Sequence, residues 1–140
     1  MIVEITGRYT GNLGTLMVHG PSGATLRTAA PVDNQGDGST FSPTDLASAA
    51  LASCMVTLMA IEARNLDIDL AGLTFRLEKH MASEPRRIER VPIRMEMPAG
   101  LDREQRRRLE DAARGCPVCH SLDSGVEKTV DFVYPDQTSG

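Results

Sequence analysis

The chain predicts an α+β fold, a largely antiparallel sheet wrapped around one buried helix. Three observations carry this expectation. Leu46 to Ile61, sixteen residues, contain no charge, the pattern of a helix buried on every side instead of along one stripe. Strand-like segments gather before and after that run without alternating with helices, so a parallel sheet built from βαβ units is not expected. Leu73 to Lys79 and Ile88 to Met97 alternate apolar and polar residues as half-buried antiparallel strands do.

Taken in order, Ile2 to Ile5 reads as a short strand, Gly11-Asn12-Leu13-Gly14 as a turn and Thr15 to His19 as the returning strand of a hairpin. Gly20-Pro21-Ser22-Gly23 turns the chain again into a strand over Ala24 to Thr28. Pro31 to Thr40, with Asp33, Asn34, Gly36 and Gly38, is a surface loop. The central helix starts at Pro43: Ser42 can cap it, proline suits the first helical position, and Asp45 is placed to close a capping box onto Ser42. Leu46, Ala50, Leu51, Cys54, Leu58 and Ile61 follow helical spacing, and Glu62, Arg64 and Asn65 mark the far end. The uncharged run falls short of the about 20 residues that span a bilayer, so it is expected to be a core helix with no membrane role.

Two antiparallel strands follow, and Pro92 inside the second predicts an edge position or a bulge. Asp102 caps a helix with Leu109, Ala112 and Ala113 on one side, arginines on the other and Gly115 as its stop. Pro117 opens a short helix, and Val126 to Tyr134 forms the last strand.

The 140 residues contain no Ser/Gly/Pro-rich linker, so one domain over 1–140 is expected. With 41% hydrophobic and 24% charged residues the chain can bury a core, but five aromatics leave most of the packing to aliphatics and seven Met. A net charge of -4 argues against a nucleic-acid partner, and Arg86-Arg87 and Arg106-Arg107-Arg108 read as solvated faces. The first residues lack the apolar stretch of a signal peptide, which predicts a cytoplasmic, reducing setting where Cys54, Cys116 and Cys119 are reactive thiols or metal ligands sooner than structural disulfides. A helix apolar all round needs cover from more than one sheet face, which predicts a homodimer.

Alone, Cys54 would pass as a small core hydrophobe. The second thiol site, Gly115-Cys116-Pro117-Val118-Cys119-His120, changes that. Cys116 falls at the N-cap of the helix that Pro117 opens, where the dipole and free N–H groups should lower its pKa. Cys119 lies one turn further on. Cys-x-x-Cys-His is formally the attachment signature of c-type haem, a chemistry that follows export. Zinc could use Cys116, Cys119 and His120, but a closed site needs a fourth ligand and His19 and His80 stand in isolated positions. In the third reading Cys54 and Cys116 meet in space as a redox pair, which needs no cofactor and no metal.

Phe41-Ser42-Pro43-Thr44-Asp45-Leu46, the small-residue helix carrying Ala52-Ser53-Cys54, and Cys116-Pro117-Val118 together resemble the OsmC/Ohr family, the osmotically inducible and organic hydroperoxide resistance proteins. The similarity extends through the element order of nearly the whole chain, including Pro85-Arg86-Arg87-Ile88. The resemblance implies an OsmC-like α+β fold, an intertwined homodimer with two active sites at the subunit interface, and thiol-dependent reduction of organic hydroperoxides. By position it assigns Cys54 as the peroxide-reacting thiol and Cys116 as the resolving one, and it suggests an external dithiol of lipoyl type as reductant. An apolar pocket of Leu51, Met55, Leu58 and partner residues would hold the substrate. The chain departs from the family in two places. Thr44 stands where many members carry Glu after the proline, with Asp45 next to it, and neither Arg8 nor Arg27 aligns with the family's activating Arg. Two alternatives stay open: an OsmC-like small-ligand-binding or stress protein without peroxidase activity, and a thiol–disulfide exchanger using Cys116 and Cys119.

Overall fold

The computed structural model describes residues 1–136. The chain divides into two compact units, Met1–Ala47 and Ser48–Gly140, with the boundary inside a continuous helix.

In the first unit, β1 (Ile5–Gly11), β2 (Gly14–His19) and β3 (Thr25–Ala29) form an antiparallel sheet in that order. Asn12 and Leu13 both have positive φ, 51° and 60°, the two-residue conformation whose twist matches the strands it joins. Gly11 faces Gly14 at this tight turn, the register shifts by one residue at Thr10, and from Tyr9 opposite Thr15 it runs unbroken to Ile5 opposite His19. The first strand therefore begins at Ile5, where the apolar pattern had ended it: the pairing runs from the turn outward and takes in Thr6 to Tyr9. The loop after β3 contains a 3-10 turn, Val32–Asn34. The Ala29 amide donates to the Phe41 carbonyl at 3.1 Å, and Gly36 lies so close to Ala30 that a Cβ there would stand 1.8 Å from its carbonyl oxygen. Only glycine allows that approach.

Helix α1 (Pro43–Asn65) begins with the expected capping box. Ser42 N donates to Asp45 Oδ2 at 2.9 Å, and Asp45 N donates to Ser42 Oγ at 3.1 Å. Within the single chain one side of the helix stays open. Ser48, Leu51, Ala52, Met55, Met59 and Ala63 form its buried seam, while Ala50, Ser53, Thr57, Ala60 and Ile61 are exposed. With Ala, Ser and Met spread around the whole circumference, no polar stripe in the sequence marks which side faces inward. By length and composition alone α1 could cross a membrane; its seam is committed to a protein core.

The second unit adds β4 (Thr74–Leu77), β5 (His80–Ala82), β6 (Arg87–Glu96), α2 (Arg103–Arg114), α3 (Pro117–Ser121) and β7 (Glu127–Val133). β6 is the axis of this sheet. It pairs antiparallel with β4 and β5 and parallel with β7. Pro92 therefore sits in a central strand, not at an edge. The Glu78 amide donates to the Pro92 carbonyl at 3.1 Å, so the side of Pro92 that lacks a donor faces the interruption between β4 and β5. A central proline breaks no ladder where the partner strand is itself broken. β5 escaped the sequence pattern because it has only three residues.

The core gathers Val91, Ile93, Met95 and Met97 with the α1 seam, Leu109 and Ala113 of α2, and Cys116. α2 carries its own capping box: Asp102 Oδ1 accepts from Gln105 N at 2.8 Å, and Asp102 N donates to Gln105 Oε1 at 3.0 Å. The arginine run is only partly a solvated face. Arg107 is bracketed by Glu104 and Asp111, Arg108 pairs with Glu62 at 2.8 Å, and Arg106 lies 4.1 Å over the buried Tyr134 ring while binding Asp136 at 3.0 Å.

Candidate redox site

Two elements of the second unit bring the thiols together. α1 carries Cys54 between its buried seam and its exposed face, so this side chain is half-buried. Gly115 ends α2, its amide donating to the Asp111 carbonyl at 3.1 Å. The chain then turns at once into α3 and seats Cys116 as N-cap with no exposed surface. Cys54 and Cys119 both lie near enough to Cys116 to act on its thiol, and Cys116 Sγ accepts the Cys119 amide at 3.4 Å. All three cysteines are free thiols. Three sulfurs thus meet where α1 faces the start of α3.

The electrostatics of Cys116 reverse the sequence expectation. Its pKa is raised, first by burial, against which the Cys119 amide works in the opposite direction; the nearness of Cys54 and Cys119 raises it further. The physical reason is the size of α3. Five residues sum little dipole and give the sulfur one N–H bond, whereas complete burial penalises the thiolate outright.

Of the residues expected to line a substrate pocket, Leu51 and Met55 are core, 0% and 2% exposed. Leu58 alone stays half-open. On the helix surface Cys54 is flanked instead by Ala50, Thr57 and Ile61, all exposed. The spacing of four and seven residues from Cys54 was available in the sequence, but nothing there showed that this side was the open one.

Asp45 serves as the capping partner of Ser42, and Thr44 Oγ1 lies 3.2 Å from Ser42 Oγ. Arg8 and Arg27 flank Leu16 in register, on one face of the first sheet. His19 Nδ1 bonds Ser22 Oγ at 2.6 Å and His80 Nε2 bonds Glu78 at 2.8 Å. Among the described residues no three His, Cys, Asp or Glu are arranged to hold a metal ion.

The family model for OsmC-like protein matches residues 36–131. A protein from Psychrobacter arcticus 273-4, provisionally described as an osmotic stress induced and detoxification response protein, is 40% identical, with 93% of each chain covered and a TM-score of 0.86. An organic hydroperoxide resistance protein OsmC from Legionella pneumophila shares the fold at 17% identity, covering 95% of this chain and 97% of its own, TM-score 0.71. So does the organic hydroperoxide resistance protein OhrB of Bacillus subtilis, at 18% identity, 94% and 98% coverage and a TM-score of 0.66. No functionally curated protein matches the chain. From the extent of the family match and the 40% identity over nearly the whole length, this chain belongs to the OsmC-like protein family.

Proposed function

We propose that the protein is a thiol peroxidase that reduces organic hydroperoxides, with Cys54 as the attacking thiol and Cys116 as the resolving thiol. The observation that carries this reading is the nearness of the half-buried Cys54 thiol to the fully buried Cys116 thiol. The roles follow from access: a peroxide can approach Cys54, whereas Cys116 meets only what is already inside. The Cys54 thiolate attacks the distal oxygen of ROOH, the O–O bond breaks, the alkoxide takes a proton and leaves as alcohol, and Cys54 becomes a sulfenic acid. The Cys116 thiol then attacks that sulfur, water leaves, and a Cys54–Cys116 disulfide forms. An external dithiol, of lipoyl type by family resemblance, supplies two electrons and two protons to reopen it. The exposed neighbours of Cys54 are small or apolar, which favours a hydrocarbon tail over hydrogen peroxide by about 0.8 kcal/mol per buried CH₂.

The working unit in this proposal is a homodimer formed by a single OsmC-like domain per chain. Ile61, on the open side of α1, is 52% exposed, and in the first unit Ile5 and Tyr9 are 60% and 65% exposed. Exposed apolar side chains at these positions fit a partner surface. The three free thiols suit a reducing cytoplasm.

Titration of the reduced protein with cumene hydroperoxide, followed by peptide mapping without reductant, tests the chemistry. One equivalent consumed and a Cys54–Cys116 disulfide are expected, with both lost in Cys54→Ser. Consumption of an equivalent by Cys54→Ser would reverse the roles, and the absence of any disulfide would return the protein to a ligand-binding reading.

A further inference from the structure

The two thiols are carried by different helices. Cys54 rides on α1, and Cys116 hangs from the end of α2: its amide donates to the Ala113 carbonyl at 3.3 Å, and the Gly115 amide to the Asp111 carbonyl at 3.1 Å. Away from the sulfurs the helices are joined by charge. Glu62, about two turns after Cys54 on α1, pairs at 2.8 Å with Arg108, which lies nearly two turns before the end of α2. The pair is partly shielded, the Glu62 side chain being 22% exposed and that of Arg108 46%. On another side α2 is tied to β7 and the residue after it. Tyr134 Oη donates to Glu110 Oε2 at 2.6 Å, and the Arg114 guanidinium lies 5.1 Å over the Phe132 ring. α2 is thus fixed to the sheet, and Glu62–Arg108 is a charged link from it to the helix that carries the attacking thiol.

We infer that the Glu62–Arg108 ion pair is a positioning device for disulfide closure: it sets the offset of α2 along α1 at which the Cys116 thiol reaches a Cys54 sulfenic acid. This rests on the peroxidase reading. The sulfenic acid has two fates. In one, Cys116 attacks its sulfur, the S–O bond breaks, water leaves and the disulfide forms. In the other, a second hydroperoxide transfers an oxygen atom to that sulfur and leaves as alcohol, and the resulting sulfinic acid is not reopened by a dithiol. The first fate depends on placement, because a misplacement of about 1 Å can slow a step between fixed groups by about a hundredfold. The contacts of the α1 seam with Leu109 and Ala113 are apolar and carry no direction of their own. An ion pair at one point of the contact resists sliding along the helix axes and so favours closure over the second oxidation.

The test is exposure of the reduced protein to excess cumene hydroperoxide, with Cys54 sulfinic acid and Cys54–Cys116 disulfide quantified by mass spectrometry. Glu62→Gln and Arg108→Gln should each raise the ratio of sulfinic acid to disulfide by about fivefold, the scale of one partly exposed ion pair. The exchange Glu62→Arg with Arg108→Glu should restore the wild-type ratio. Salt at about 1 M, where the screening length is about 3 Å, should raise the ratio in the wild type and leave Glu62→Gln where it stands, a response that lost stability alone does not produce. Arg107→Gln, which breaks the pairs with Glu104 and Asp111 within α2, should keep the wild-type ratio. A wild-type ratio in both Glu62→Gln and Arg108→Gln overturns the positioning role and leaves the peroxidase intact. Absence of both oxidised forms of Cys54 in the wild type would instead strike the reading beneath it.

Discussion

Burial decides the behaviour of the individual thiols. Near neutral pH iodoacetamide should label Cys54 well before Cys116, because alkylation needs both thiolate and access and Cys116 lacks both; mass mapping with Cys116 modified first would contradict the assignment of roles. The raised Cys116 pKa also fixes a sign for stability. Above the ordinary thiol value of about 8.5 the unfolded chain releases this proton while the folded one keeps it, so the unfolded state binds fewer protons and stability falls as pH rises. Tyr134 extends the trend above its ordinary value of about 10, since burial, and then the hydrogen bond to Glu110, raise its pKa as well. Under reducing conditions the melting temperature of the wild type should decline through this alkaline range. Cys116→Ala should flatten the lower part and Tyr134→Phe the upper part; in melting curves recorded against pH, an unchanged slope would mean no shift and a steeper decline a shift of the opposite sign.

At the level of elements, short-range signals were readable and long-range ones were not. Ser42 with Asp45, and Asp102 with Gln105, close their boxes within three residues, so sequence order alone brings the partners together. Asp45→Ala should cost about 1 kcal/mol of stability by denaturant unfolding. The seam of α1 is a different matter. Met59 and Ile61 look alike as letters, but Met59 is fully buried and Ile61 exposed, and the choice is made by β6 and α2. Met59→Ala should therefore destabilise the chain by about 2 to 5 kcal/mol, whereas Ile61→Ala should change the folding stability of an isolated chain very little. Pro92 teaches the same lesson, since its tolerance in a central strand depends on where β4 and β5 leave a gap.

For the whole molecule, sedimentation should find two 15.1 kDa chains per particle if the exposed apolar residues of each unit, Ile5 and Tyr9 in the first and Ile61 in the second, meet a second copy. Ile61→Asp should shift the particle to a monomer, because an unpaired charge at the centre of such a contact is costly; a monomeric wild type would remove the dimer from the proposal. The sequence by itself determined the α+β class, the span of α1, its capping box, the Asp102 cap of α2, the hairpin turn and the family, because each depends on pattern or on neighbours in the chain. Tertiary structure alone decided which side of α1 is inside, that β6 is the central strand, and that the Cys116 thiol has a raised pKa with Cys54 near it. Those outcomes depend on solvent exclusion and on contacts between segments far apart in the chain, which no local pattern of residues encodes.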